Sequence, residues 1–276
     1  MTKAVSLPIH NRGMERVAGT PGGRPTRVQL LVTCLVDHFS PDTAAAVVRV
    51  LEREGLEVIV PGDQTCCGQP AANAGARADA AAMARHTIAL LERDPAPVVV
   101  PSGSCTDMLV HQAPALLADD PDWSARAAAV ASRTYEFTQF LVDVLGVTRL
   151  APSAVEGVSG TGTTGTLAYH ACCHGLRGIG IDAQPRALLA GVAGAAVVPL
   201  PEHDTCCGFG GLFAVKLPDI SGAMLDRKCR QIAASGADTV VVTDVSCAMH
   251  IQGGLDRKGQ AVKVQHVADV IAGGLR

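Results

Sequence analysis

Ten cysteines in a chain of 276 residues are enough for soft-metal or redox chemistry, and eight of them fall into two matched sets. Thr65-Cys66-Cys67-Gly68 recurs as Thr205-Cys206-Cys207-Gly208. In the first set Cys34 precedes the pair by 31 intervening residues and Cys105 follows it after 37; in the second Cys173 precedes by 32 and Cys247 follows after 39. Thiols used as small apolar packing have no reason to repeat in order and spacing, whereas a soft metal needs converging thiolates. Four sulfurs suit a tetrahedral zinc or a 4Fe–4S cluster equally well by count. Short C-x2-C knuckles, usual in structural zinc sites, are missing, and each half is large enough to fold without an ion, which tilts the reading toward redox iron.

The expected metal-binding residues are therefore Cys34, Cys66, Cys67 and Cys105 in the first half and Cys173, Cys206, Cys207 and Cys247 in the second. Cys229 falls in a predicted helix and reads as an inert packed thiol. Cys172 is able to substitute for its neighbour. His170 and His174 bracket Cys173 and form a weaker set of candidate ligands with Cys172; His203 and His250 also lie near second-half cysteines. Asp37, His38, Arg177 and Lys216 are candidates to hold a small carboxylate, against the simpler reading of solvated loop charge.

Elements that position these residues follow from the apolar runs. Arg27 to Val32, Leu56 to Val60 and Val98 to Val100 read as buried strands, as do Thr166 to Tyr169, Ala196 to Leu200 and Thr239 to Thr243, with a fourth strand of the second half at Val262 to Val264. Helices intervene: one opened by Pro41 and closed at Gly55, an Ala-rich one before Pro95, helix through 123–146, one entered through Pro185, and one from about Ile220 to Gly236. Strands alternating with helices give an α/β fold of two tandem repeated parallel-sheet domains. The cysteines lie just past the carboxyl ends of strands, the edge where open α/β sheets bind ligands. The glycine after each cysteine pair is suited to positive φ and close backbone approach. Residues 1–25 read as a tail, 26–150 as the first domain, 151–165 as a Gly/Ser/Thr/Ala linker and 166–276 as the second domain.

Composition excludes several partners. A net charge of −3 without a basic run gives no footprint for nucleic acid or an anionic membrane. No apolar run approaches the length of a spanning helix, and the first 25 residues lack a secretory h-region, so the expected compartment is the reducing cytoplasm. Gly208-Phe209-Gly210-Gly211 does not complete a phosphate-binding loop, and no G-x-S-x-G or H-E-x-x-H is present.

The repeated Cys, Cys-Cys-Gly, x-x-Cys pattern resembles the cysteine-rich CCG domain of iron–sulfur oxidoreductases, a group that includes the heterodisulfide reductase B-type chain, the glycolate oxidase iron–sulfur subunit and the anaerobic glycerol-3-phosphate dehydrogenase C-type chain. Local wording is more similar to the lactate utilization protein A family: Thr33-Cys34-Leu35-Val36-Asp37, Gln64 through Pro70, Pro101-Ser102-Gly103-Ser104-Cys105, and Cys206 through Gly211 with Phe213-Ala214-Val215-Lys216. That resemblance implies a cytoplasmic subunit of a three-component system oxidising L-lactate to pyruvate, beside a ferredoxin-type iron–sulfur subunit and a third protein, with one 4Fe–4S cluster per repeat. Heterodisulfide reductase-like copies end in C-x-x-C and use a fifth cysteine for a non-cubane cluster; here Ser102 and Asp244 stand at that position, so an electron-transfer cubane is expected instead. The family motif His-x-x-Cys-His matches His170, Cys173 and His174 and favours Cys173 over Cys172. The competing expectations are a zinc-binding scaffold that docks redox partners and a thiol/disulfide or reactive-cysteine enzyme without metal.

Overall fold

The computed structural model describes residues 23–149, 165–192 and 194–273. The tail 1–25 and the linker 151–165 fall almost wholly outside them. Strands β1 (Arg27–Leu30), β2 (Glu57–Ile59), β3 (Val98–Val100) and β4 (Thr134–Glu136) make one sheet in the order β2-β1-β3-β4. Strands β5 (Gly165–His170), β6 (Ala195–Val198), β7 (Thr239–Val242) and β8 (Lys263–His266) repeat that order as β6-β5-β7-β8. Every pairing is parallel, with Leu30 opposite Val99 in the first sheet and His170 opposite Val242 in the second. The α/β class and the two tandem parallel sheets agree with the sequence reading.

Each sheet is covered on both faces, which is why its central strands are continuous apolar runs rather than alternating ones. Period-two geometry then divides each strand between two cores. Val28, Leu30 and Val99 of the first sheet and Leu167, Tyr169 and Val241 of the second share one cluster, filled by Val47 and Val50, Phe137 and Phe140, Leu188 and Leu189, and Val267 and Ile271. The opposite faces are private. Leu31, Val98 and Val100 pack with Ala84, Ile88 and Leu91 of the helix Arg77–Leu91, and Ala168, Val240 and Val242 with Leu225, Cys229 and Ile232 of the helix Pro218–Ser235. A middle layer drawn from both halves therefore lies between the two sheets.

Two details depart from the sequence reading. Within 123–146 the expected helix is broken: the helix Ser124–Ala131 ends, β4 follows, and helical structure resumes at Phe137. Thr134 turns its hydroxyl back onto the Val130 carbonyl at 2.8 Å, and the Glu136 carboxylate caps the next helix through the backbone N–H groups of Thr138 and Gln139. Those polar contacts leave three residues free to pair with β3 at the sheet edge. The helix expected to enter at Pro185 instead spans Ala183–Ala190; a proline in the first turn removes an N–H that has no helical acceptor anyway.

Candidate metal centres

The strand order reverses direction between β1 and β3 and between β5 and β7, so each half has a crevice at the carboxyl edge of its sheet. The chain delivers a cysteine there each time it leaves a strand. Cys34 starts the helix Cys34–Phe39 after β1, Cys66 and Cys67 lie in the loop after β2, and Cys105 sits in the helix Gly103–Asp107 after β3. Cys173, the pair Cys206–Cys207 and Cys247 repeat this after β5, β6 and β7.

Gly68 and Gly208 turn the chain tightly behind each pair, with φ of +92° and +95°. A Cβ on Gly68 would meet Met83 Cβ at 3.1 Å and the Ala80 carbonyl at 3.2 Å; one on Gly208 would meet the Ser221 carbonyl at 2.8 Å and Met224 Cβ at 2.9 Å. The same turn thus rests on the same outer helix in both halves.

The sulfurs converge. In the first half Cys67 Sγ lies 3.2 Å from Cys105 Sγ, and Cys66 is in hydrogen-bonding contact with Cys34 and Cys67. In the second, Cys207 Sγ lies 3.6 Å from Cys247 Sγ, and Cys206 is in hydrogen-bonding contact with Cys173 and Cys207 and accepts from the Gly208 N–H at 3.4 Å. Crowded sulfurs cannot all carry charge, so protonation alternates. Accepted hydrogen bonds hold the Cys66 and Cys206 thiols down to about 2, while Cys34 is pushed up by its hydrogen bond to Cys66, Cys67 by its bond to Cys105, and Cys173 by its bond to Cys172. A soft cation is what lets such a set become thiolate together.

Cys172, left open by the sequence, joins the second set. It is buried, interacts with the thiols of Cys173 and Cys247, which hold it down to about 5, and its Sγ lies 3.6 Å from Asp244 Oδ2. Cys229 is fully buried among apolar side chains, as expected of a packing residue.

The histidines separate. His170 is fully buried with neither ring nitrogen hydrogen-bonded, and burial drives it down to about 3, so its imidazole is neutral and available. Among the described residues one set of three donors has ligand atoms mutually within 4.8 Å: His170, Cys207 and Cys247. His174 is engaged at both nitrogens, Nδ1 with Asp107 Oδ2 at 2.8 Å and Nε2 with Gln69 Nε2 at 3.0 Å, a bridge between the halves. His203 faces Asp182 at 3.5 Å, and His250 faces the Ser221 hydroxyl at 3.3 Å and the Phe209 ring.

Pockets open onto the same two cysteines in each half. One of about 320 Å³ is lined by Cys34 and Cys66 with Asp37 and His38, which pair with each other at 3.4 Å. The other, about 490 Å³, is lined by Cys173 and Cys206 with His174, Phe213 and Lys216. Arg177 does not line that pocket; it donates to the Asp204 carbonyl at 3.1 Å. Leu212, Val215, Leu217 and Ile220 are exposed around this cleft or beside it.

The sequence reading missed Lys228. Its side chain is buried, donates to the Glu202 carbonyl at 2.8 Å, and is lowered to about 8 by burial against the opposing pull of Cys207, Asp204, Glu202 and Cys206. A cation beside Cys206 and Cys207 is suited to balance thiolate charge. Its only sequence signal is its place next to Cys229 on the buried side of a helix.

Comparison with known proteins agrees with this geometry. A family model described as the CCG cysteine-rich domain matches twice, over residues 28–110 and 167–252. A lactate utilization protein A from Exiguobacterium sp. is 44% identical over 250 residues, covering 90% of this chain and 98% of the relative. The chain belongs to the lactate utilization protein A family. A second member of that family, from Bacillus cytotoxicus, is 43% identical over 245 residues, covering 89% of this chain and 98% of its own. Among solved structures, a hypothetical protein from Helicobacter pylori shares the fold with a TM-score of 0.61 at 10% identity, over 92% of this chain and 50% of that one. Among the described residues no helix of this lactate utilization protein A family member is long and apolar enough to cross a membrane.

Proposed function

We propose that the protein is the iron–sulfur electron-transfer subunit of a cytoplasmic system that oxidises L-lactate to pyruvate, with one 4Fe–4S centre per half. Convergence of four sulfurs at the same sheet edge in both halves is the observation that carries this reading; the relatives' names supply the substrate. The first centre is held by Cys34, Cys66, Cys67 and Cys105, the second by Cys173, Cys206, Cys207 and Cys247. When bound, such a cluster supplies one-electron transfer at a potential set by its charge, hydrogen bonds and exposure.

The chain's own residues provide the rest. Buried Cys67, Cys105, Cys207 and Cys247 form the inner side of each site, and the less buried Cys34, Cys66, Cys173 and Cys206 face the pockets, so electrons enter and leave by that edge. The apolar residues around the second pocket offer a docking surface to the ferredoxin-type partner and the third subunit. Lys216 at its lining gives a small carboxylate a counter-charge.

Zinc scaffolding is the second reading, favoured by the convergence of His170, Cys207 and Cys247 within 4.8 Å. Tetrahedral Zn–S bonds of about 2.3 Å put sulfurs roughly 3.8 Å apart in every pairing. Among the described residues no three sulfurs of either half lie mutually within 4.8 Å, a wider spread than a single tetrahedral ion needs and one that suits a multi-iron cluster.

Iron, zinc and acid-labile sulfide content of anaerobically purified protein, with absorption spectra before and after dithionite, decides between the two. About four iron and four sulfide per half, bleaching on reduction, is the expected result. Zinc without sulfide would remove electron transfer from this subunit.

A further inference from the structure

Superposing the repeats on their cysteine patterns exposes a difference between the two centres. Cys34 corresponds to Cys173, so Thr33 corresponds to Cys172 and Leu31 to His170. Leu31 is an ordinary member of the apolar core beneath the first site. In the second half both positions carry metal-binding side chains, and both are buried.

The contacts of Cys172 set it apart from a packing thiol. Sulfurs of the first half follow one another, Cys34 to Cys66 to Cys67 to Cys105. The second half has the same succession, Cys173 to Cys206 to Cys207 to Cys247, and Cys172 adjoins Cys173 in the chain and packs in one cluster with Cys207 and Cys247. Five sulfurs thus gather at the second site where the first half has four. Cys229 shows what a cysteine does here without such a role: a Cβ on Gly254 would meet its sulfur at 2.9 Å, in a cluster of Leu225 and Ile232. Nor does Cys172 fill space for want of alternatives, since the first half packs with a threonine at the same place.

We propose that Cys172 is a fifth thiolate ligand of the second centre, so that the two halves hold non-equivalent clusters. This rests on the iron–sulfur reading given above. Held as a thiolate, Cys172 would give the second centre one more negative charge than the first. Added negative charge disfavours the reduced state, so the second centre has the lower reduction potential of the two. His170, with both nitrogens unpaired beside Cys207 and Cys247, is the neutral donor on the same wall.

The test uses the full chain purified anaerobically, with iron and sulfide counted on every sample and electron paramagnetic resonance recorded through a reductive titration. Wild type is expected to show two distinct reduced signals with separate midpoints. Cys172→Thr, which copies the first half, is expected to leave the first signal unchanged and to move the second midpoint upward toward it, or to lose the second cluster alone. Cys172→Ala should act in the same direction, and Cys229→Ala should alter neither signal. Clusters present in full with both signals and midpoints unchanged in Cys172→Thr would overturn this inference alone, as would two indistinguishable centres in wild type. Zinc without sulfide would overturn it together with the reading beneath it.

Discussion

Ser102 and Asp244 stand at equivalent positions of the two repeats, each three residues before the last cysteine of its set, and they bond to each other: the Ser102 hydroxyl donates to Asp244 Oδ2 at 2.9 Å. Each also caps its own helix, Ser102 accepting from the Cys105 N–H and Asp244 from the Ser246 N–H. These are the positions at which heterodisulfide reductase-like copies carry another cysteine. In this chain they join the halves, beside Gly103 and Gly175, where a Cβ on Gly103 would sit 2.9 Å from Gly175 Cα.

Asp244 is therefore predicted to be among the most sensitive residues for stability. Burial opposes its charge, but hydrogen bonds from Ser246, Ser104 and Ser102 outweigh it and hold the carboxyl below the usual range. Asp244→Ala strands the Ser102 and Ser104 donors and should cost on the order of 3 kcal/mol, and Asp244→Asn about half of that, in urea unfolding. Because the folded pKa is depressed, this contribution is complete above the ordinary carboxylate pKa and fades as pH falls below it.

Gly208→Ala should be worse than Gly68→Ala. Both positions have positive φ, which costs a side-chain residue roughly 1–2 kcal/mol, but the new Cβ meets backbone oxygen at 2.8 Å in the second half and at 3.2 Å in the first. The expected losses are on the order of 3 and 2 kcal/mol in denaturant unfolding, with metal content falling selectively in the affected half.

Glu136 provides a pH test. Burial, partly offset by hydrogen bonds from Thr138 and Gln139, raises its carboxyl to about 7. Between pH ~4.5 and ~7 the folded chain keeps a proton that the unfolded chain has lost, so stability falls as pH rises through that window. Glu136→Gln removes the ionisation while retaining an acceptor. Its melting temperature should exceed that of wild type at pH 8, by the equivalent of about 3 kcal/mol, and the difference should vanish near pH 4.5.

Cys66→Ser and Cys206→Ser should each remove about half of the bound iron, and the double variant nearly all of it. Metal retention against a chelator should weaken from pH 8 to pH 6 in wild type, since protons compete for the same sulfurs. Retention that is flat across that range would argue against thiolate ligation.

Much of this arrangement is legible in the order of the residues. Short Val-rich runs buried on both faces identify β3 and β7, and the repeated cysteine spacing places its residues at one sheet edge because successive parallel strands end there. Thr134-Tyr135-Glu136 is not legible: three residues between helical segments have no apolar run, and what makes them a strand is β3 alongside. Cys172, a weaker candidate ligand by motif than Cys173, stands at the cap of the helix Cys173–Ile179, and its packing against Cys207 and Cys247 is likewise set by the fold rather than by local sequence. The Ser102–Asp244 bond joins residues 142 apart, and no local pattern announces a contact fixed by how two sheets stack.

The layer shared by the two sheets has a consequence during synthesis. When the ribosome has made only the first repeat, Val28, Leu30, Val99, Phe137 and Phe140 lack part of their eventual covering, which arrives with β5, β7 and the helix Val267–Ile271. The nascent first half must wait with that greasy face open, a natural client for a holding chaperone until the second repeat has emerged.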